Sequence, residues 1–145
     1  MRDGLTVIEH GDARVALSTD RLPILVATWS GSLTPTLVDR YFDAHYETLR
    51  AIDDSGRRCV LLTMGLAAAR PSPIVRRRIV ERMGDDRELL ERVLACNAVV
   101  VESTIVRGAM IAMSWVDDSL RVPMFATEDE AFAWAHEQCL QFDLC

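Results

Sequence analysis

Residues 24–56 read ILVATWSGSLTPTLVDRYFDAHYETLRAIDDSG, and this stretch decides the predicted fold. Its first six residues, 24–29, are almost continuously apolar, which is typical of a strand buried on both faces of a sheet. The pattern then changes, because the apolar residues from Val38 to Ile52 recur at intervals of three and four. That spacing places them on one side of a helix. The stretch therefore predicts a buried strand followed by an amphipathic helix.

The ends of this helix carry the expected signals. Thr34 is a good N-cap, Pro35 suits the first helical position, and Gly56 supplies a left-handed exit. Residues 59–64, which Gly65 ends, and residues 97–101 repeat the apolar strand pattern, each followed by a helical pattern. This alternation predicts an α/β fold with a largely parallel or mixed sheet.

The two ends of the chain add further elements. Residues 5–9 and 14–18 are short β-type runs separated by residues 10–12 (HGD), which predicts a hairpin. Residues 122–125 form a last short strand, and its proline favours a position at the sheet edge. Residues 127–130 (TEDE) match a capping box that opens the final helix.

Helical patterns fill the intervals between the later strands. The first predicted helix runs through Ile79, Val80 and Met83 and breaks at Gly84. The second covers residues 87–94 and is capped by Asp85 or Asp86. The third runs from Ser103 or Thr104 to about Trp115, and a turn follows at residues 117–119. The predicted order is β-β-β-α-β-α-α-β-α-β-α. We expect one α/β domain over residues 1–145, with a mixed, mostly parallel sheet, an N-terminal hairpin and flanking helices.

Composition excludes several functional classes. The 145 residues carry a net charge of −6, and all 16 basic residues are Arg. Without Lys there is no Walker-type phosphate loop, Schiff-base enzyme or lysine general base. The acidic total argues against broad nucleic-acid binding. Cys59, Cys96, Cys139 and Cys145 match no zinc or redox spacing, so we expect no metal or other cofactor, and Cys59 and Cys96 are predicted to be small buried hydrophobes.

The sequence also predicts a cytoplasmic protein. Its start lacks the basic and apolar regions of a secretory signal. Its most apolar stretch, residues 98–116, contains Glu102 and Arg107, which a membrane span would not carry near its centre.

Three motifs in this order resemble the SpoIIAA-like branch of the STAS superfamily. They are Trp29-x-Gly31-x-x-Thr34, Ser103-x-x-x-Arg107-Gly108 running to Trp115, and Phe125-x-Thr127 ahead of Glu130-Ala131-x-x-Trp134. The resemblance covers nearly the whole chain. It implies a sheet of four to five strands with helices mainly on one side. It also implies a regulatory or binding role, often through partner proteins, in place of catalysis.

The chain departs from this family at one junction. Anti-sigma-factor antagonists of the superfamily typically carry Asp-Ser-Ser-Gly between the second buried strand and its helix. Residues 64–78 read MGLAAARPSPIVRRR here, Ser72 is their only hydroxyl, and no Asp precedes it. No catalytic or phosphoacceptor residue is therefore carried over.

A cluster of arginines makes the following segment locally basic. Arg77 and Arg78 are predicted to project onto a solvated face. Arg76 instead shares the apolar face of its helix and lies near the helix N-terminus, where the macrodipole disfavours a cation. It therefore needs a partner, either an internal carboxylate or a bound anion or acidic protein surface.

Arg107 raises the same question on the predicted helix over residues 103–115. That helix is apolar around most of its circumference, so it is either a core helix or a self-association surface. Arg107 either pairs with Glu102 or points toward the loops. By contrast, His45 lies on an apolar helix face and is predicted to be a satisfied core residue.

These patterns favour a non-enzymatic module that binds another protein in bacterial signalling, or a second copy of itself, or a small anionic or amphipathic ligand. The candidate binding residues are Arg70, Ser72, Arg76 and Arg107. Two alternatives remain open, a carrier of a small apolar or lipid ligand and an enzyme whose site matches no known motif.

Overall fold

The computed structural model describes residues 4–101 and 122–144. The strands are β1 (Leu5–His10), β2 (Ala13–Ser18), β3 (Ile24–Gly31), β4 (Cys59–Ala68), β5 (Leu94–Val100) and β6 (Met124–Phe125). The helices are α1 (Pro35–Asp54), α2 (Pro73–Met83), α3 (Arg87–Val93) and α4 (Glu128–Gln141). The helix predicted for residues 103–115 and the turn at 117–119 lie outside the described residues.

All six strands form one sheet in the order β1-β2-β3-β4-β5-β6. The first three strands pair antiparallel, as the predicted hairpin requires, and the strands from β3 to β6 pair parallel. The mixed, mostly parallel sheet is thus confirmed. The four to five strands implied by the resemblance are corrected to six, because β1 and the short edge strand β6 both join the ladder.

The junction of β3 and α1 forms as the sequence predicts. The Thr34 hydroxyl accepts a hydrogen bond from the Leu37 backbone N–H at 3.1 Å, and Pro35 begins the helix. Gly31 has a φ of +78° and lies so close to the backbone of Asp12 that a Cβ would collide with the carbonyl group there. A glycine is therefore required where β3 ends.

The strand boundaries differ most from the prediction at the end of β4 and the start of β5. β4 continues to Ala68, four residues past the predicted end, because Ser30 and Gly31 pair with Ala67 and Ala68 beyond a register shift. β5 begins at Leu94, where the sequence predicts the end of a helix. In both places backbone pairing extends the strand through residues without a strand-like apolar pattern.

The core lies on both faces of the sheet. On one face, α1, α2 and α3 pack against β2, β3 and β4 around Trp29, Leu37 and Val93. On the other face, α4 packs through Ala131 and Ala135. Alternate residues of a strand point to opposite faces. The expectation that the described helices lie mainly on one side is confirmed.

Candidate functional site

The carboxyl ends of β3 and β4 lie side by side, and α1 and α2 begin just beyond them. Ser72 is the N-cap of α2, and its hydroxyl accepts a hydrogen bond from the Val75 backbone N–H at 3.2 Å. The Ser72 residue is exposed. Ligands of α/β sheets bind at this kind of edge, so the position of Ser72 is compatible with a binding role.

A network of ion pairs fixes α2 to α1. Arg78 meets Asp39 through two hydrogen bonds, from Nε to Oδ1 at 2.7 Å and from Nη2 to Oδ2 at 2.9 Å. The side chain of Arg82 is only 14% exposed, and its guanidinium also binds Asp39, at 3.2 Å. The same guanidinium lies 2.7 Å from Asp43 and 2.7 Å from Asp85. Such two-point and shared contacts are stronger than single exposed pairs.

The network corrects the expectation that Arg78 belongs to a solvated face. Arg78 is partly exposed, but its guanidinium is committed to α1. The hydrogen bond from Arg78 is the largest cause that lowers the pKa of Asp39 below its usual value, opposed by partial desolvation of the carboxylate. Asp39 and Asp43 share the four-residue spacing of Arg78 and Arg82, but this spacing alone does not show that the two helices face each other.

A second ion pair fixes α3 to α1. Arg92 donates to Asp53 from Nε to Oδ1 at 3.0 Å and from Nη2 to Oδ2 at 2.8 Å. The short helix therefore has its own charged contact with α1, in addition to the burial of Leu89 and Val93.

The remaining arginines near the start of α2 face outward. Arg76 is half-buried and donates from Nη1 to the Pro71 carbonyl at 3.4 Å. Arg70 and Arg77 are exposed. Within residues 4–101 and 122–144, none of these three arginines forms an ion pair. The predicted partner of Arg76 is thus not a carboxylate of the described residues.

Two large apolar side chains lie exposed at the same junction. Leu66, near the end of β4, is 42% exposed, and Ile74, in the first turn of α2, is 70% exposed. Sequence analysis missed both, because the local pattern there is too short to separate a buried from an exposed face. We call the set Leu66, Arg70, Ser72, Ile74, Arg76 and Arg77 the β4–α2 surface. Arg107, the other predicted site residue, lies outside the described residues.

An apolar cavity of about 360 Å³ borders the helical face of the sheet. Thr63, Asn97 and Glu91 contribute polar groups to its described lining. The polar side chains of Tyr41 and His45 also line it, and its apolar lining includes Trp29, Phe42, Leu61, Ile79, Met83, Leu90, Val99 and Val101. Its size falls within the range of small-molecule sites.

His45 and Tyr41 form the buried polar pair of this region. The Tyr41 hydroxyl and His45 Nδ1 are 3.3 Å apart, and the two rings stack with centroids 5.2 Å apart. Burial lowers the pKa of His45 to about 4 and raises the pKa of Tyr41. Both groups are therefore uncharged at neutral pH, and the prediction that His45 is a satisfied core residue is confirmed.

Burial raises the pKa of two of the described cysteines, Cys59 and Cys96. Cys59 and Cys139 are buried, whereas Cys96 is half-buried. Burial raises the pKa of Cys59 to about 12, so a thiolate is scarce there at neutral pH. Cys145 lies outside the described residues.

The described part of the chain bears on metal binding and on membrane spanning. No group of three or more His, Cys, Asp or Glu side chains in it could hold a metal ion. None of its helices is both long and apolar enough to cross a bilayer.

The comparisons with known proteins point to one fold. No protein-family model matches the chain, and no curated protein matches it. A solved structure described as an anti-sigma factor antagonist from Mycobacterium paratuberculosis matches 94% of this chain and 97% of its own. The TM-score is 0.55 at 15% sequence identity. The chain therefore shares its fold with this anti-sigma factor antagonist, and this is the fold that the resemblance in sequence implied.

Proposed function

We propose that this chain is a non-enzymatic regulatory module that binds a partner protein through the β4–α2 surface. The observation that carries this proposal is the division of the arginines around α2. Arg78 and Arg82 are held by carboxylates of α1. By contrast, Arg70, Arg76 and Arg77 form no ion pair within the described ranges. Their guanidinium groups can bind carboxylates or phosphates of another molecule.

The neighbouring apolar side chains define the rest of the partner's chemistry. Ile74 and Leu66 expose apolar area that a partner can bury in a recess, and Arg70, Arg76 and Arg77 are close to them in the sequence. Apolar or aromatic contacts at the centre with charged groups at the rim are typical of protein interfaces. The partner we propose therefore has an acidic surface with an apolar recess.

Two further observations support a regulatory role over catalysis. The shifted pKa values of His45 and Cys59 lie far from neutral pH, where a general acid or base or a thiolate nucleophile works best. The solved structure with the same fold is described as an anti-sigma factor antagonist. That description supports a partner within bacterial signalling.

The test starts from capture of a partner by the purified chain from a lysate of the organism that encodes it. A protein captured by the natural chain is then purified, and its Kd is measured for a site variant, Ile74→Ser with Arg76→Ala. The control variant is Leu140→Ser with Arg57→Ala, because Leu140 is 74% exposed and Arg57 is also exposed, both outside the β4–α2 surface.

We expect the site variant to weaken binding at least tenfold, because central apolar residues and arginines carry most interface energy, and a tenfold change in Kd is about 1.4 kcal/mol. The control variant should bind like the natural chain. Equal weakening by both variants, or by neither, would contradict the proposal. Arg76→Ala with Arg107→Ala extends the test to the predicted role of Arg107.

A second candidate function is transport or sensing of a small apolar ligand. The observation that favours it is the apolar cavity beside Trp29 and Tyr41. Native mass spectrometry of the purified chain distinguishes this function. A co-purifying acyl or aromatic molecule that is lost in Leu61→Trp, which fills the cavity, would support it. A clean unliganded mass would count against it.

A further inference from the structure

The sheet has one long open edge. Among residues 4–101 and 122–144, β1 contains six residues and pairs only with β2, whereas β6, at the other edge, contains two. An edge strand presents unpaired backbone N–H and C=O groups that can bond another strand. Because β6 is so short, β1 offers the more extensive template.

The hairpin register shows which backbone groups of β1 point outward. In an antiparallel pair, residues alternate between those that exchange hydrogen bonds with the neighbouring strand and those that do not. The Thr19 N–H donates to the Gly4 carbonyl at 2.6 Å, so the even-numbered residues of 4–10 bond to β2. The backbone groups of Leu5, Val7 and Glu9 therefore point away from the sheet.

These outward groups are largely accessible. The only contact to them within the described residues is a hydrogen bond from Arg40 Nη1 to the Glu9 carbonyl at 3.4 Å, made by an exposed side chain. A carbonyl has two lone pairs, so this bond does not prevent a second one. Leu5 is 50% and Val7 is 41% exposed. β1 also lacks the Lys, Pro or bulge with which natural edges avoid pairing.

We propose that two copies of this chain pair their β1 strands antiparallel about a two-fold axis at Val7, which joins the two sheets into one. In this register Val7 faces Val7 of the second copy, and Leu5 faces Glu9 of the second copy. Every outward N–H and C=O of residues 5, 7 and 9 then finds a partner. A register centred on Ile8 leaves the outward groups of Leu5 unpaired.

Side chains favour the same register. Leu5 and Val7 lie on one face of β1, since they alternate with Ile8, which packs against the core on the other face. Pairing at Val7 places the two Val7 side chains directly opposite each other, with each Leu5 diagonal to Val7 of the second copy. The Glu9 carboxylate lies 3.6 Å from Arg14 of its own chain, and the two Glu9 residues are separated by four strand positions. A register centred on Glu9 would instead oppose two like charges.

The first test measures the mass of the full chain in solution by light scattering across a range of concentrations. We expect about twice 16.2 kDa at high concentration and dissociation on dilution. Val7→Pro removes one outward N–H but no bond to β2, so it should give a monomer that unfolds in urea like the natural chain. Val7→Thr keeps the N–H and should remain dimeric. If Val7→Pro does not fold, Val7→Lys places two cations at the axis and serves instead.

The second test reads the register through disulfides. Paired residues that exchange hydrogen bonds have Cα atoms about 5.5 Å apart, within reach of a disulfide. Val7→Cys should therefore cross-link two copies under mild oxidation. Glu9→Cys should not, because its two sites are about 14 Å apart at the usual rise per strand residue. Mass spectrometry of the cross-linked peptides separates this bond from any made by natural cysteines.

Four results would overturn the proposal. The first three are a monomer at every concentration, a dimer that Val7→Pro leaves intact, and equal cross-linking by Val7→Cys and Glu9→Cys. A strand of another protein found on β1 of a monomeric chain would also overturn it. The β4–α2 surface takes no part in these measurements, so their outcome does not depend on the proposed partner.

Discussion

At the scale of the residue, His45 shows how burial controls charge. Its ring is 2% exposed and meets the Tyr41 hydroxyl. Desolvation disfavours the imidazolium and lowers the pKa of His45 to about 4. The helical spacing of the sequence placed His45 on the apolar face of α1. Only the packed structure shows that Tyr41 satisfies it there.

This pKa predicts a specific dependence of stability on pH. The folded pKa lies below the usual value of 6.5, so the unfolded chain takes up the proton first as pH falls. The contribution of neutral His45 to the free energy of unfolding is fully present above pH 6.5 and is lost between pH 6.5 and about 4. It amounts to roughly 3 kcal/mol. Urea unfolding of the natural chain and of His45→Gln, measured across this range, checks it.

The difference in stability between the natural chain and His45→Gln isolates the effect of position 45. His10 and His136 are present in both chains, so their effects cancel in the difference. His45→Gln should lose less stability than the natural chain as the pH falls from 6.5 to 4. Parallel stability curves for the two proteins would show that His45 is not held neutral by burial.

At the scale of the element, charged contacts position α2 and α3 on α1. The sequence predicted α2 from its apolar residues and α3 from a cap at Asp85 or Asp86, and Asp86 is confirmed as the cap of α3. Ser72, which the sequence did not identify as a cap, is the N-cap of α2. It did not predict that Arg78 and Arg82 bind Asp39. Pairing between two helices depends on their relative rotation, which the pattern of either helix alone does not contain.

We expect Asp39→Asn to lower the free energy of unfolding by about 1–2 kcal/mol at pH 7, because one carboxylate binds two arginines. The matched control is Asp54→Asn, an exposed carboxylate of the same helix that forms no ion pair within the described ranges. It should change stability by less than about 0.5 kcal/mol. Urea denaturation of both variants measures the difference.

The ion pair between Asp39 and Arg78 also predicts how the stability of the fold changes in acid. The folded pKa of Asp39 is lowered from 3.8, chiefly by its hydrogen bond to Arg78. Its contribution is therefore present above pH 3.8 and is lost as pH falls through the lower folded value. The difference in the free energy of unfolding between the natural chain and Asp39→Asn should therefore become smaller as the pH falls below 3.8. A gap that is constant down to pH 3 would contradict an ionic origin.

At the scale of the whole molecule, one sheet connects two apolar clusters. Cys59 belongs to the cluster beneath α1, and Cys139 belongs to the cluster beneath α4. The adjacent residue Val60 points to the second cluster, so β4 contributes to both. Loss of this strand would remove packing from both faces, and we expect both to unfold in one cooperative transition.

Pulsed alkylation at increasing urea concentration tests this cooperativity. Cys59 and Cys139 are buried, and the raised pKa of Cys59 further slows its reaction in the folded chain. Mass spectrometry of the peptides should show both thiols becoming reactive at the same urea concentration. The half-buried Cys96 serves as the internal reference for partial exposure. Earlier labelling of Cys139 alone would mean that α4 detaches before the sheet unfolds.

The sequence by itself determined the element order of the described residues, the caps at Thr34 and Asp86 and the mixed sheet, because these depend on local periodicity and on turn residues such as Gly56. It also predicts binding at the start of α2, through Ser72 and Arg76. It placed the end of β4 too early, since strand length there depends on pairing with Ser30 and Gly31 in another part of the chain.

Only the tertiary structure decided which side chains are available. Arg76 and Arg78 are two residues apart, yet Arg78 is held by α1 and Arg76 faces the loop edge. The exposure of Ile74 and the open edge at Val7 likewise follow from which neighbours pack beside them. Local patterns fix the conformation of each segment through short-range contacts. Availability for binding depends on contacts between segments distant in the chain, and these form only when the sheet and its helices assemble.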